Sequence, residues 1–482
     1  IDSFLIFNSG YDLMNGFYPF KDYWTIKEPF IDFLQAIMFK VFGVSWFSYV
    51  LHASLFNCLI TLTTFFILKR FQLKTNLCFF YSICVAVLFY PTAGTPFSDH
   101  HTLIFCLLGF YSFILALQSK KNFFWMLTPI LLGFSFMSKQ APTVYVIFLI
   151  TFISIIYFIR SKNLSSIVYA TIGSILIIAF FLLLFFLADI DLKSFFYQYY
   201  LYPKSLGGSR FDWLQPFEFK RIFWRYKLQY LSIAVLIFIF TSFLFSKKKI
   251  NLSDFLISLG FILFCLLTIM HQLMTINAIF IYCLIPIFSG FSHVYVGRYL
   301  NNKKILNNFL IVLTLSSTIY YFINYVHNRT FMDLRGIDLK NSVSGEVIHS
   351  ELSNIKWLTM FYPDNPKKEV SKLKLAISTL KDDKEKKMII TDYQFISVIL
   401  KQYDYSVTRF WYDFHGYPNE NSEYFNYWRE FVLNNIRKNK IKNIYVLKPL
   451  HGETKPLENI LKNCFTKTDI AENFYKLKLF NC

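Results

Sequence analysis

Several kinds of functional motif are missing from this chain. Its eight cysteines include no Cys-x-x-Cys pair of the kind that binds zinc or exchanges disulfides, and six of them lie in apolar stretches, where they are most simply small hydrophobic residues. The C-terminal third has no glycine-rich phosphate loop, and the chain has no repeat period. These absences argue against a thiol metal centre, a nucleotide-binding loop and a repeat array.

Long stretches of the chain also lack charge, and these stretches define the fold class. Hydrophobic residues make up 55% of the sequence and aromatic residues 21%, and the apolar runs exceed the ~12 residues of an average soluble helix. About 20 apolar residues cross a bilayer. The pattern predicts a polytopic α-helical membrane protein with ten spans, near residues 45–69, 76–92, 99–118, 123–138, 141–160, 165–188, 228–246, 253–271, 274–297 and 305–326.

Lysine and arginine are absent from alternate short loops, which indicates the orientation. The turns 93–98 and 272–274 contain neither residue. The loops on the other side carry Lys69, Arg70, Lys74, Lys120, Lys121, Arg160, Lys162, Lys247, Lys248, Lys249, Arg298, Lys303 and Lys304. Since positive loops stay cytoplasmic, we expect the opening loop, the 189–227 loop and everything after 326 to lie outside.

An outer opening loop must have been carried across the membrane, so we expect a further span before Ile1 and a total of eleven. The net charge of +19 does not predict nucleic-acid binding, because much of it lies in the loops that fix topology. Little alanine and glycine beside much phenylalanine, isoleucine, lysine and asparagine suggests an AT-rich bacterial genome. We therefore expect an inner-membrane protein whose site and C-terminal domain face the periplasm.

The first twenty-nine residues form a polar segment that carries Asp2, Asp22, Lys27 and Glu28 ahead of an otherwise apolar chain. Charged side chains beside a bilayer are costly to keep there, so they are a candidate site; a hydrated interfacial loop is the alternative. The following stretch, 29–43, has apolar residues at helical spacing but is too short to span. It predicts an amphipathic helix on the outer interface.

Two further polar clusters are expected on the outer side. One is Pro96–His101, which contains Asp99 and His100; the other is Gly133–Pro142, which contains Lys139. With the opening loop they could form one cavity that holds a general base and a cation for phosphate. Because adjacent histidines on a helix diverge by about 100°, we do not expect a firm metal site, although a divalent metal stays open as a cofactor. Lys139 could instead cap a helix C-terminus.

From His327 the composition becomes mixed and charged, which predicts a soluble α/β domain of residues 327–482 after an opening segment 1–44 and a membrane domain 45–326. Helices are expected at 368–381, 394–402, 421–439 and 456–464. Strands are expected at 388–392, 441–448 and 473–480, with 405–411 extended. Strand and helix alternation predicts a mainly parallel sheet.

The order of motifs resembles the GT-C class of membrane glycosyltransferases, in particular bacterial relatives of protein O-mannosyltransferases and aminoarabinose transferases. The stretches that carry the resemblance are Asp2-Ser3, Met14-Asn15-Gly16, Tyr18 to Trp24, Lys27-Glu28-Pro29 and Gly133 to Lys139. They cover about the first 145 residues; the remaining spans match by topology only. An outer C-terminal domain is also consistent with this class.

The resemblance implies transfer of a sugar, with inversion, from a polyprenyl-phosphate carrier to a lipid, glycan or protein acceptor on the outer face. Asp2 matches the catalytic aspartate of the family. Ser3 replaces the usual glutamate, which leaves Asp22 or Asp99 as the second carboxylate. Candidate substrate-binding residues are Lys27, Glu28, Asp99, His100, Lys139 and Arg210, of which Lys139 rests on the motif and Arg210 only on its place in the basic 189–227 loop.

Two other functions stay open. A transporter or flippase of lipid-linked sugars would need polar groups along the middle of its spans. Such groups are few, the clearest being Asn57, Gly173 and Ser174, and helix packing explains them as well. A sensor or assembly protein would bind through the C-terminal domain, where nothing names a ligand. The aromatic run 195–202 fits an interfacial belt first and sugar stacking second.

Overall fold

The structure is a computed structural model. It describes the whole chain except residues 1–3, 120, 213–217, 246–250, 276–277, 301–303, 330–333, 412–414, 449–454, 463 and 481–482. Two compact units share the chain. Unit 1 comprises Ile1–Leu51, Leu184–Gly207 and Thr330–Cys482, and unit 2 comprises His52–Leu183 and Gly208–Arg329. The opening residues therefore fold with the C-terminal region.

The opening segment of unit 1 begins with a helix, α1 (Leu5–Met14), where the sequence suggested a polar loop. Phe4, Ile6, Phe7 and Tyr11 are buried in a core that includes strand residues of the C-terminal region. The prediction was wrong because polar residues at positions 8, 9 and 12 interrupt the apolar pattern. These polar side chains are also buried, so they face protein and not water.

A second helix, α2 (Pro29–Phe42), confirms the helix predicted over 29–43. Its polar residues Asp32 and Gln35 point inward and are 3% and 0% exposed, whereas Ile37, Val41 and Phe42 are exposed. An apolar outer face suits a helix that lies against lipid. Gly10 lets α1 approach α2 closely, because a Cβ there would lie 2.6 Å from Gln35 Cγ.

The remaining helices up to residue 327 are mostly long and apolar. They are α3 (Trp46–Arg70), α4 (Thr75–Phe89), α5 (Ser98–Ser119), α6 (Asn122–Ser138), α7 (Gln140–Ser161), α8 (Leu164–Leu187), α9 (Leu192–Phe195), α10 (Tyr202–Asp212), α11 (Lys227–Phe245), α12 (Leu252–Thr275), α13 (Leu284–Tyr299) and α14 (Lys304–Tyr321). A π-helical turn, Phe196–Leu201, links α9 to α10, and another, Phe322–His327, extends α14.

Each of the ten predicted spans falls on one of these helices. Within the described part of the chain, seven segments are long and apolar enough to cross a membrane, while α4, α6 and the apolar part of α11 are shorter. The fold class is thus a polytopic helical membrane protein, and the count of ten stays a prediction. One boundary was wrong: α12 continues through the expected turn 272–274, and a short 3₁₀ helix, Ala278–Ile281, precedes α13.

Mid-span polar groups in unit 2 take part in helix packing. Asn57 Nδ2 donates to the backbone oxygen of Ala86 at 2.9 Å. A Cβ on Gly173 would lie 2.1 Å from the backbone oxygen of Met126, so only glycine permits this crossing of α8 with α6. Ser174 donates to the Ala170 oxygen of its own helix. Asn57 and Gly173 therefore contribute to contacts between helices, whereas the Ser174 bond lies within α8.

The C-terminal region of unit 1 is built on a four-stranded sheet. The four strands are β3 (Lys387–Thr391), β4 (Asn443–Leu447), β5 (Phe465–Ala471) and β6 (Phe474–Leu479). Earlier in the chain, β1 (Val343–Ser344) and β2 (Lys356–Trp357) form a separate two-stranded sheet. The helices are α15 (Pro366–Asp382), α16 (Ile396–Ile399), α17 (Phe425–Asn439) and α18 (Lys455–Leu461). These confirm the predicted strands and helices, although α16 is a single turn and 405–411 is not a strand.

The predicted sheet arrangement was wrong. The strand order is β3-β4-β6-β5, and only β3 with β4 is parallel, while the other two pairings are antiparallel. The sequence missed β5, whose side chains are mostly exposed. A tight turn joins β5 to β6 and places Asn473 at a φ of 62°, which asparagine tolerates well. A two-residue turn permits only antiparallel pairing.

Both faces of the sheet are covered by apolar side chains. Met388 and Ile390 pack on one face with α17, α18 and Trp24, whereas Ile389 packs on the other with α1 and α15. This alternation follows from the two-residue period of a strand. The opening segment therefore contributes to both cores.

Candidate active site

A small cavity in unit 1 lies beside the Lys27-Glu28-Pro29 motif. Its polar lining comes from Ser9 of α1, Asp32 of α2, the motif itself and Arg409 of the C-terminal region. Its volume is about 30 Å³, which is room for roughly two water molecules or a small polar group. A cavity this small suits the reacting atoms of a substrate more than a whole sugar.

Asp32 and Ser9 form the shortest polar contact in the cavity. Ser9 Oγ lies 2.5 Å from Asp32 Oδ1 and 2.9 Å from the backbone oxygen of Leu5. A serine hydroxyl has one proton and cannot donate to both acceptors. The arrangement is satisfied if Asp32 is protonated and donates to Ser9, which then donates to Leu5. Burial, followed by the charge of Glu28, raises the pKa of Asp32 well above its usual value.

Asp12 and Arg409 form a buried ion pair across a long stretch of sequence. Asp12 is 0% exposed, and its Oδ2 lies 2.5 Å from Arg409 Nη2. Burial raises the pKa of Asp12 to about 8, although Arg409 opposes the shift. Asp404 Oδ2 lies 3.8 Å from Arg409 Nη1, and burial raises the pKa of Asp404 to about 6. Removing Arg409 would leave Asp12 and Asp404 buried without this cation.

The guanidinium of Arg409 is held from several sides. Its Nη1 donates to the Ser406 oxygen at 2.9 Å, and its Nη2 donates to the Asp404 oxygen at 3.1 Å. The ring of Tyr23 lies 4.9 Å from the guanidinium carbon. These contacts fix Arg409 in the cavity wall.

Backbone hydrogen bonds tie the opening segment to the C-terminal segment that carries Arg409. Trp24 N donates to the Val407 oxygen at 2.7 Å, and Trp24 pairs with Thr408 as an isolated bridge. Among the described residues, the buried Tyr23 hydroxyl and Trp24 Nε1 have no hydrogen-bond partner. Because an unsatisfied buried donor costs about 1–3 kcal/mol, both groups are available to a polar ligand.

Glu28 has an unusual backbone. Its φ is 73°, and it precedes Pro29, which begins α2. A left-handed conformation in a residue other than glycine costs of order 1–3 kcal/mol and is common at functional sites. Lys27 Nζ lies 3.1 Å from Glu28 Oε1 and 5.1 Å from the Phe410 ring centre. The motif predicted from sequence thus lies at the cavity with both charges in contact.

Asp22 lies outside this cavity lining. Its Oδ2 accepts from Tyr18 N at 2.9 Å, which closes the loop before Trp24, and its Oδ1 lies 3.3 Å from Lys438 Nζ. Asp2 falls outside the described residues. Arg210 belongs to α10, and its side chain is also outside the described part of the chain.

Asp99 and Lys139 meet in unit 2. Lys139 is the residue between α6 and α7, and its Nζ donates to Asp99 Oδ1 and Oδ2 at 2.7 and 2.8 Å. The two side chains are 10% and 19% exposed. Asp99 also borders a cavity of about 10 Å³ with His271 and Gln272, which are buried in the last turn of α12. A lysine held by both carboxylate oxygens has a fixed position.

The two histidines after Asp99 point in different directions, because α5 has already begun at Ser98. His101 Nε2 lies 3.2 Å from His52 Nε2, while the His100 ring packs edge-on against Phe280 at 5.2 Å. Among the residues that the structure describes, no three His, Cys, Asp or Glu side chains are grouped closely enough to hold a metal ion.

Sequence reasoning missed Ser9, Asp12, Asp404 and Arg409. Ser9 and Arg409 line the cavity, whereas Asp12 and Asp404 contact Arg409 from outside that lining. A signal existed for Ser9 and Asp12, since polar residues at 8, 9 and 12 share one face of the short helix α1. Asp32 was seen only as an interruption of α2. No local pattern marks Arg409, whose partner Asp12 is distant in sequence.

Comparison with known families gives one match. Residues 27–185 match the family model described as dolichyl-phosphate-mannose-protein mannosyltransferase. This family is part of the GT-C superfamily, so the predicted resemblance is confirmed. Its members are membrane glycosyltransferases that use sugars linked to a lipid phosphate. The match covers residues 27–185 of the 482-residue chain, so the chain is similar to these membrane glycosyltransferases over that part, and the candidate spans support an integral membrane protein. A comparison with curated proteins gave no match at a significant level.

Proposed function

On the premise of this family match, we propose that the protein transfers a sugar from a polyprenyl-phosphate carrier to an acceptor hydroxyl, with inversion, on the outer face of the membrane. The observation that carries the proposal is the cavity beside Lys27 and Glu28. It combines a family-matched motif with buried charges and orphaned donors in one small space.

The proposed reaction is a single displacement. The acceptor hydroxyl loses its proton to a carboxylate base, its oxygen forms a bond to the anomeric carbon, and the bond from that carbon to the carrier phosphate breaks on the opposite side. The carrier leaves as polyprenyl phosphate. A phosphate leaves without protonation, so this step needs a base and cations rather than a general acid.

We assign the base to Asp2, because the Asp2-Ser3 motif resembles the acidic pair that opens the first outer loop of the family. Asp22 is the second candidate, and its existing contacts with Tyr18 N and Lys438 favour a loop-closing role. Asp32 does not suit a base, because its contact with Ser9 fits the protonated acid.

Lys27, Lys139 and Arg210 are proposed as separate candidates for the cation that binds the carrier phosphate. Lys139 is oriented by Asp99, and a phosphate oxygen could join the coordination of its ammonium group. Glu28 positions Lys27 through their 3.1 Å contact. His100 is proposed to contribute shape beside Phe280 and not charge.

The membrane is proposed to be a bacterial inner membrane, with the cavity and the C-terminal region in the periplasm. The charge pattern of the loops supports this orientation. Lipid, glycan and protein acceptors all carry suitable hydroxyl groups.

Transport of a lipid-linked sugar is the second candidate function. Against it, Asn57 and Gly173 take part in helix packing, and the Ser174 hydroxyl bonds within its own helix, so the clearest mid-span polar groups have a structural role. A transport path would need polar groups that face a water-filled space.

The experiment uses the purified protein with polyprenyl-phosphate sugars that differ in the sugar. Released carrier and the anomeric configuration of the product are measured together. Release with an inverted product supports the proposal. Release with a retained configuration would require a different mechanism, and carrier-dependent sugar translocation into vesicles without any release would favour transport.

A further inference from the structure

A second and larger concave surface lies in unit 1, away from the Lys27 motif. Helix α17 forms one wall, and the segments around Lys21 and Asp189 form the other. We call it the α17 groove. Its volume is about 850 Å³, within the range of about 300–1,000 Å³ that is usual for ligand sites. Asp189 follows the end of α8 by two residues, so the groove begins where an apolar helix ends.

The lining combines two partly exposed aromatic rings with several hydrogen-bonding groups. Tyr427 and Phe431 supply the rings, and Glu430 and Asn434 stand on the exposed face of the same helix. Neither the Glu430 nor the Asn434 side chain makes a hydrogen bond within the described part of the chain. Carboxylates accept, while amides both accept and donate. Apolar rings beside planar polar groups match a sugar, which has an apolar C–H face and a ring of hydroxyls.

One buried group points to a ligand independently. Asn435 is 5% exposed and lines the groove; its Nδ2 donates to the Phe431 oxygen, but among the described residues its Oδ1 has no partner. An amide oxygen buried in this way is destabilising unless a donor reaches it. A hydroxyl group of a bound ligand would be such a donor.

The charges of the groove disfavour phosphate. Lys21 Nζ lies 3.0 Å from Asp189 Oδ2, and Lys438 Nζ lies 3.3 Å from Asp22 Oδ1, so both cations of the lining already contact carboxylates. Asp191 and Glu430 add negative charge. An anionic headgroup would face more carboxylates than ammonium groups. A neutral ligand avoids that repulsion.

The aromatic wall is held in place by neighbours from the segment after α8. Tyr427 stacks on Tyr197 with ring centres 4.6 Å apart, and its hydroxyl lies 2.9 Å from Ser194 Oγ. Asp191 accepts from Ser194 N at 3.0 Å and so caps α9. A fixed ring loses little conformational entropy when a ligand binds.

We propose that the α17 groove binds a neutral oligosaccharide. The further assignment of this oligosaccharide as the acceptor rests on the proposed transfer reaction. The binding of a saccharide in the groove does not depend on that reaction. The groove would hold the acceptor chain while its end group is glycosylated elsewhere in the protein.

The test measures binding without any donor. Fluorescently labelled neutral oligosaccharides of three to six hexose or N-acetylhexosamine units are titrated into the full chain in detergent. The variants are Glu430→Gln, Asn434→Ala and the double variant, all at exposed positions that should not disturb folding. Asn426→Ala is the matched control, because Asn426 is also exposed on α17 but does not line the groove.

We expect at least one oligosaccharide to bind, with at least tenfold weaker binding in the double variant, about 1.4 kcal/mol, and unchanged binding in Asn426→Ala. Binding that the double variant does not weaken, or no binding by any oligosaccharide of the panel, would overturn the proposal. Binding of the protein to phosphatidylglycerol vesicles that the double variant weakens would also overturn the proposal, because the groove would then bind a lipid headgroup.

If the wild-type protein binds saccharide but releases no carrier, the transfer reaction is refuted and the proposal that the groove binds saccharide stands. The two proposals can therefore fail separately.

Discussion

The cavity of unit 1 and the Asp99–Lys139 pair of unit 2 are both partly buried clusters of charge, but they are built differently. The cavity draws Ser9, Asp32 and Arg409 from three parts of the chain, and it contains donors without partners. Asp99 and Lys139 satisfy one another through two short hydrogen bonds. The first arrangement is suited to accepting reacting groups, and the second to holding one cation in place.

The largest effect is expected at Arg409, on which the cavity wall depends. Arg409→Met leaves Asp12 buried without a cation, and we expect a loss of about 3–5 kcal/mol of stability, seen as a lower unfolding temperature and a lower monodisperse yield in detergent. The exposed Arg437→Met is the control. Adding Asp12→Asn to Arg409→Met should recover much of the loss; no recovery would contradict the ion-pair interpretation.

The role of Lys139 can be separated from its pairing with Asp99. Lys139→Met should reduce carrier release about a hundredfold, equal to about 2.7 kcal/mol, and it should also destabilise the protein by removing the ammonium group that both Asp99 oxygens contact. The double variant Asp99→Asn with Lys139→Met should recover stability, because the buried carboxylate is removed with its cation. If carrier release also returns, Lys139 acts only on stability, and its proposed contact with phosphate is wrong.

The packing of α1 on α2 is tested at Gly10. Alanine at this position would place its Cβ 2.6 Å from Gln35 Cγ, so the helices must separate, and we expect a loss of about 1–3 kcal/mol. Gly207→Ala has no atom within 4 Å of its Cβ and is the matched control. Equal unfolding temperatures for the two variants would show that the close approach is not required.

A smaller effect concerns Asp32 and pH. Because the pKa of Asp32 is raised in the folded protein, folding favours its protonated form. Its contribution to stability is complete below the unfolded value of about 4 and is lost as pH rises above that value. Asp32→Asn keeps a donor for Ser9 at every pH, so its unfolding temperature should depend less on pH between 5 and 8.

The exposed Asp364→Asn serves as the control for that series. If the unfolding temperatures of wild type and Asp32→Asn change with pH in parallel, Asp32 is ionised in the folded protein. That result would contradict the argument that Asp32 donates a proton to Ser9.

Much of the fold followed from the sequence, because a span needs a long apolar run and such runs are visible locally. The helix α2 and the strands β3, β4 and β6 were also predicted within a few residues. The hairpin of β5 with β6 was missed because β5 is an exposed edge strand with a weak apolar pattern. Pairing between strands depends on turns and partners, which local periodicity does not contain.

The candidate site was predictable only in part. Lys27, Glu28, Asp99 and Lys139 were found because charge beside apolar runs is conspicuous. Arg409 was not, since its role comes from the folding of the C-terminal region around α1. A short helix with polar residues on one face, as in α1, is the signal that could have directed attention to Asp12.

The most direct test of the central claim compares carrier release by Asp2→Asn and Asp22→Asn at matched expression and unfolding temperature. We expect Asp2→Asn to lose more than a thousandfold of the wild-type kcat/KM, about 4 kcal/mol, and Asp22→Asn to lose less than tenfold. Full activity in Asp2→Asn would contradict the account, because the base would then lie outside the segment that leads into α1.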